Sequence, residues 1–243
     1  MGKKIIVAGL GHGGIAAAAQ LAKAGFDVTV YEMKKEGTLG YDWTDIFAPK
    51  ALEFAGIPMP PEDKFEYKED MTFFAPTCPK GLRQHVPQDQ LEIKMERRDI
   101  YEHLINHAIS KGVKIEYECE VLGPIMLGSR VAGIRTAKGD VYGDLVIDAC
   151  GMNSPVRRNL PEYLGVEKEA GRDDKISIFR AFYNKASEEE VEAKFRVMLF
   201  AGGKKGICWV ASEEEYTDLK MLEITINGVD PKAKWNFAFA VAP

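Results

Sequence analysis

The 243-residue chain is 46% hydrophobic and 28% charged, a globular balance that excludes a disordered polymer and leaves room for one large domain or two modest ones. Its net charge of −5 comes from interleaved acids and bases with no basic stripe, so no nucleic-acid partner is expected. No apolar run reaches the roughly 18 residues of a membrane span, and the four cysteines (Cys78, Cys119, Cys150, Cys208) form no C-x-x-C pair, so a cytoplasmic protein with buried thiols and no membrane span is expected.

The first predicted element is a buried strand at Ile5-Ile6-Val7-Ala8, followed by Gly9-Leu10-Gly11-His12-Gly13-Gly14 and a helix over Ile15 to Ala24. This is G-x-G-x-x-G in the strand–turn–helix setting that a dinucleotide requires. Gly9 allows a sharp turn, Gly11 admits a pyrophosphate close to the backbone, and Gly14 lets helix and strand pack closely. The unpaired N–H groups and positive end of the helix dipole then face the phosphates. A second strand, Phe26 to Tyr31, ends at Glu32, where a carboxylate can accept from a ribose hydroxyl. A secretory leader (Lys3-Lys4, then an alanine-rich stretch) is the competing reading; it fails because the glycines stand at fingerprint spacing and Glu32 follows at the right distance.

Beyond a polar loop at Lys34 to Gly40, a helical region is expected over Thr44 to Phe54, interrupted at Pro49. Residues 57–70, rich in proline and charge, form an excursion from the nucleotide-binding core. Met71 to Ala75 reads as a strand, Thr77 to Pro87 as a loop, and Leu91, Ile93 and Met95 as one face of another strand. A helix from Asp99 to Lys111 presents Ile100, Leu104 and Ala108 on one face and ends at Gly112. Strands follow at Val113 to Tyr117, Val121 to Met126 and Arg130 to Arg135, the last two joined by a turn at Gly128-Ser129. Leu145 to Ala149 reads as a buried strand of parallel-sheet character. Further strands are expected at Ile176 to Tyr183, Phe195 to Phe200, Ile207 to Val210 and Leu222 to Ile226, with a hairpin turn at Gly202 to Gly206.

Three blocks, in order, resemble FAD-dependent oxidoreductases of the group containing p-hydroxybenzoate hydroxylase and the geranylgeranyl reductases. They are the glycine unit with Glu32, the run Arg97 to Leu104 with Ala108 and Gly112-Val113, and Asp144 to Gly151 with Ser154 and Val156-Arg157. The resemblance implies an α/β protein: a Rossmann-like FAD-binding domain of glutathione-reductase type, with a β-rich substrate domain. The FAD-binding domain would take residues 1–40 and 95–165, and the substrate domain residues 41–94 and 166–243. It implies cofactor contacts from Gly9, Gly11, His12, Gly13, Gly14, Glu32, Arg97, Val121, Asp148 and Gly151. Arg97 would meet the pyrophosphate or ribitol, with Arg98 as a one-residue-shifted rival, and the Val121 backbone would meet the adenine. The implied activity is oxidation or reduction of a small apolar or aromatic substrate, by flavin hydride transfer or hydroxylation, with NAD(P)H as candidate electron donor. Cys150-Gly151 stands where that family usually has Asp-Gly, and no downstream Gly-Asp block follows; a truncated member with an incomplete substrate domain is the expectation. The alternatives are an NAD(P)-dependent dehydrogenase and a non-catalytic nucleotide-binding relic.

Other features carry plainer readings. His103 and His107 stand four apart on a helix, but without a third ligand nearby no metal site is expected. Cys150 reads as a structural thiol. Glu188 to Glu190 and Glu213 to Glu215 read as solvated surface. Asp42, Trp43, Tyr183 and Trp209 are the candidates for lining a substrate pocket, although core packing explains the aromatics equally well.

Overall fold

The computed structural model describes residues 2–76, 78, 80–171, 175–184, 195–199, 206–212 and 216–224. Its contacts divide the chain into two units, Met1–Glu69 with Val86–Ala170, and Asp70–His85 with Gly171–Pro243. This division places residues 41–69, 86–94 and 166–170 with the first strands of the chain, whereas the expected boundaries put them with the substrate domain.

The first unit opens with strand β1 (Lys4–Ala8), helix α1 (His12–Lys23) and strand β2 (Asp27–Tyr31), then β3 (Thr44–Phe47), α2 (Lys50–Phe54) and β4 (Phe65–Lys68). After β5 (Asp70–Phe74) and β6 (Leu82–His85), which belong to the second unit, the chain returns as β7 (Glu92–Glu96), α3 (Arg97–Ser110) and β8 (Lys114–Glu116). The antiparallel strands β9 (Val121–Leu127), β10 (Arg130–Thr136) and β11 (Gly139–Tyr142) precede β12 (Leu145–Asp148) and the one-turn helix α4 (Pro155–Arg158). The organising sheet is parallel throughout, in the order β12-β1-β2-β8.

Burial explains that order. Ile6, Val7 and Ala8 of β1 have no exposed surface, as befits an interior strand covered on both faces. On one side, Ile15, Ala18 and Ala19 of α1 join Ile100, Leu104 and Ala108 of α3 in a core with Val28 and Val30 of β2. Each buried aliphatic side chain contributes about 1.5–3 kcal/mol, and the alanines let the two helices approach closely. On the other side, Ile6, Ala8 and Tyr31 meet Cys119, Val121, Ile134 and Val156.

Three elements differ from expectation. Thr44–Phe47 is a strand paired with β7, not a helix, because its β-branched and aromatic residues find partners at Ile93 to Glu96. Pro49 stands immediately before α2, where a missing N–H costs nothing. Within the expected loop, β6 pairs with β5 although all four of its residues are exposed, so it carries no alternation to read. β12 is parallel as expected but lies at the sheet edge, leaving Leu145 48% exposed.

The second unit is one sheet ordered β13-β16-β15-β14-β5-β6, with β13 (Ile176–Asn184), β14 (Phe195–Leu199), β15 (Gly206–Ser212) and β16 (Tyr216–Ile224). Its neighbours are antiparallel except β14 and β5. The expected turn at 202–206, apart from Gly206, and both glutamate runs lie outside the described residues. No described helix is long and apolar enough to cross a membrane.

Candidate functional site

Three parallel strands end together. Ala8 is in register with both Asp148 of β12 and Tyr31 of β2, so the loops after all three strands meet at the carboxyl edge of the sheet. That edge is where open α/β sheets bind their ligands.

The glycines of the first loop divide into two pairs. Gly9 has φ +95°, and a Cβ there would lie 2.5 Å from the Ala149 carbonyl oxygen. A Cβ on Gly14 would run into the Gly9 carbonyl oxygen and stand 3.1 Å from the Ala149 Cβ. These two serve the chain's own packing. Gly11 has an ordinary φ of −71°, its nearest neighbour would be the Ala149 oxygen at 3.9 Å, and nothing lies within 4 Å at Gly13. Nothing within the protein requires glycine at either place; both face open space. Between them begins α1, with no side-chain cap and no acid in its first turn. Its first N–H groups and its positive end are left for an anion.

Glu32 is buried and engaged. Its Oε2 accepts from the Leu10 N–H at 2.9 Å, inside the glycine turn, and its Oε1 accepts from the Lys34 N–H at 2.9 Å. Gly9 N–H donates to the Tyr31 carbonyl at 2.9 Å, a second tie between the turn and the end of β2. The carboxylate thus holds the turn in shape and still keeps unused acceptor lone pairs.

The third loop is ordered by Asp148. Its Oδ1 accepts from the Cys150 N–H at 3.1 Å and its Oδ2 from the Ser154 hydroxyl at 2.5 Å. Ser154 in turn caps α4, accepting from the Arg157 N–H at 3.1 Å. Ser154 followed by Pro155 is a helix-start signal legible in the sequence. Asp148 therefore braces a loop whose Ala149 and Cys150 backbone roofs Gly9, and Gly151 turns that loop at φ +76°. Cys150 is half-buried, and burial, reinforced by the Asp148 charge, pushes its thiol up to about 12. At pH 8 only about one molecule in 10⁴ is thiolate. A maleimide or disulfide reagent at pH 8 is expected to modify the exposed Cys78 first and leave Cys150 intact; rapid labelling of Cys150, read by peptide mass spectrometry, would contradict this.

Arg97 opens α3 but is already committed. Its Nε donates to Asp45 Oδ2 at 2.7 Å, its Nη2 to Asp45 Oδ1 and its Nη1 to the Tyr41 hydroxyl. The guanidinium lies 4.6 Å from the Tyr41 ring centroid and 5.8 Å from that of Trp43. Its rival Arg98 pairs with Asp42 at 2.9 Å and donates to the Gly40 carbonyl. Asp42 and Trp43, expected at a pocket wall, thus contact the two arginines; Tyr183 and Trp209 belong to the second unit. His12, the first residue of α1, stacks on Tyr101 of α3 with ring centroids 4.6 Å apart. Burial lowers its pKa, Asp45 opposes the shift and Arg97 adds to it. Val121 begins β9 opposite Thr136, its side chain buried with Tyr31 and Cys119. His103 Nε2 hydrogen-bonds the Pro58 carbonyl at 2.8 Å, and no metal-ligand cluster exists among the described residues.

Hydrogen bonds and close backbone packing thus join Gly9, Leu10, Gly14, Glu32 and the Asp148 loop, whereas Arg97 faces Asp45. Asp45 and Tyr101 are the participants that sequence reasoning missed.

No family model matches the chain. The digeranylgeranylglycerophospholipid reductase of Haloferax volcanii is 25% identical over 229 residues, covering 86% of this chain and 54% of that protein. The chain therefore spans about half the length of the curated relative it matches. The structure of a geranylgeranyl bacteriochlorophyll reductase-like protein from Thermoplasma acidophilum matches with a TM-score of 0.75 at 20% identity, over 91% of this chain and 56% of that one. CtdE, solved in complex with FAD, matches with a TM-score of 0.68 at 17% identity, over 95% and 61% respectively. The resemblance read from the sequence holds as a likeness: this is a mixed α/β chain with a parallel sheet, similar in sequence to the Haloferax reductase and in fold to the geranylgeranyl reductase-like protein and to CtdE.

Proposed function

We propose that the chain is a flavin-dependent oxidoreductase acting on a small apolar or aromatic organic molecule, with its first unit a glutathione-reductase-type Rossmann domain for FAD. The observation that carries this reading is the pair of glycines, Gly11 and Gly13, which no internal packing requires and which flank the uncapped start of α1. They fit a pyrophosphate, which needs close backbone approach and free N–H donors. The FAD-bound state of CtdE and the reductase name of the Haloferax relative support the same ligand and chemistry class.

In this reading the α1 N–H groups hold the pyrophosphate, and the spare lone pairs of Glu32 accept from the adenosine ribose. The Val121 backbone borders the adenine. Asp148 and Gly151 shape the loop that closes over the turn, and Arg97, neutralised by Asp45, braces the start of α3 beside it. FAD when bound supplies the hydride-accepting and hydride-donating centre. The chain's part is to bind it, orient it and exclude water, with the second, β-rich unit offered to the substrate and NAD(P)H as electron donor.

A near-ultraviolet and visible spectrum of the purified protein, repeated after FAD addition and desalting, tests the proposal. Retained flavin bands are expected. A colourless protein that binds NAD(P)H instead would transfer the site to a nicotinamide dehydrogenase, and one that binds neither would make it a relic.

A further inference from the structure

The position between Gly11 and Gly13 carries the one titratable side chain of the glycine turn. His12 is the first residue of α1, flanked by the two open glycines. His12 is exposed along the chain surface, yet one face of its imidazole stacks on Tyr101 of α3, the planes inclined by 27°. The charged groups that bear on it are Asp45 of β3 and Arg97 of α3, which neutralise each other through their ion pair. The free protein therefore offers His12 no net negative charge, and the positive end of α1 further disfavours an imidazolium there.

We propose that His12 makes dinucleotide binding proton-linked: the pyrophosphate arrives at the start of α1 and His12 takes up a proton with it. This rests on the dinucleotide reading above. In the free protein, partial desolvation of the ring lowers the imidazole below its ordinary 6.5, with Asp45 opposing and Arg97 reinforcing the shift, which favours the neutral form at pH 7. An adjacent dianion favours the charged form and raises the pKa of the complex. The sign follows from linkage. Affinity rises as pH falls through the pKa of the complex, by at most about tenfold per pH unit for one proton, and levels off below the pKa of the free protein.

The test is calorimetric titration of the chain with FAD near pH 7 in two phosphate-free buffers of unlike ionisation enthalpy, PIPES and Tris. The expected result is a buffer-dependent heat corresponding to uptake of up to one proton per FAD. ADP-ribose, which has the pyrophosphate without the flavin, is expected to show the same uptake. His12→Asn abolishes it and flattens the pH dependence; His12→Phe does the same while keeping a ring against Tyr101, which separates the proton from a packing defect. FAD binding with equal heats in both buffers, uptake that survives in both variants, or uptake absent with ADP-ribose overturns the proposal and leaves the FAD reading standing. Failure of both ligands to bind overturns the dinucleotide reading itself.

Discussion

Gly9→Ala and Gly14→Ala are expected to destabilise the first unit by about 2–5 kcal/mol each, whereas Gly11→Ala leaves stability within about 1 kcal/mol and weakens FAD binding by about 10–100-fold. The contrast comes from where the new methyl goes. At Gly9 it meets the Ala149 carbonyl at 2.5 Å on a backbone already at φ +95°. At Gly14 it meets the Gly9 carbonyl, so helix and strand must separate. At Gly11 it enters open space at an ordinary backbone angle and stands where a phosphate needs the N–H groups of α1. The loss there corresponds to about 1.5–3 kcal/mol of charge-assisted hydrogen bonding. Urea melts and FAD titrations on the same three variants read both quantities. A Gly11→Ala protein that binds FAD as wild type does would show that the open space is not the ligand's.

Glu32→Ala is expected to cost stability as well as affinity. The substitution leaves the Leu10 and Lys34 N–H groups without their acceptor, in a place where Glu32 itself is only 8% exposed. Of the two donors the Leu10 N–H is the buried one, and orphaning it costs about 1–3 kcal/mol without any ligand present. Glu32→Gln keeps one acceptor oxygen and should fall between wild type and alanine. Hydrogen exchange gives the local reading: the Leu10 amide loses protection in Glu32→Ala. If that amide stayed protected and only FAD affinity fell, the carboxylate would serve the ribose alone.

Much of the first unit is legible in the sequence because its signals are local. The apolar run of β1, the glycine spacing and the acid at the end of β2 all lie within 32 residues, and each follows from backbone sterics or dipoles. The parallel character of β12 likewise shows in its aliphatic run. What escaped depends on partners far along the chain. Thr44–Phe47 becomes a strand because β7 pairs with it, and Asp45 acquires its meaning from Arg97, 52 residues away. The His12–Tyr101 stack exists only once α1 lies on α3. Arg97 at the start of a helix reads as a free cation until its bidentate partner is in view. The exposed residues of β6 leave no hydrophobic period, so nothing in their pattern announces its pairing with β5.

The sheet order has a consequence for how the protein is made. β1 leaves the ribosome well before its neighbour β12: the bond from the Lys4 N–H to Asp144 spans 140 residues of chain. At about 5–20 residues per second, roughly 7–30 s pass before that edge of β1 has anything to pair with. During that interval the most apolar strand of the parallel sheet presents bare hydrogen-bonding groups to its surroundings, a template for wrong partners. Newly made chains are thus exposed to misassembly at β1, and the interval closes only when Leu145–Asp148 arrives.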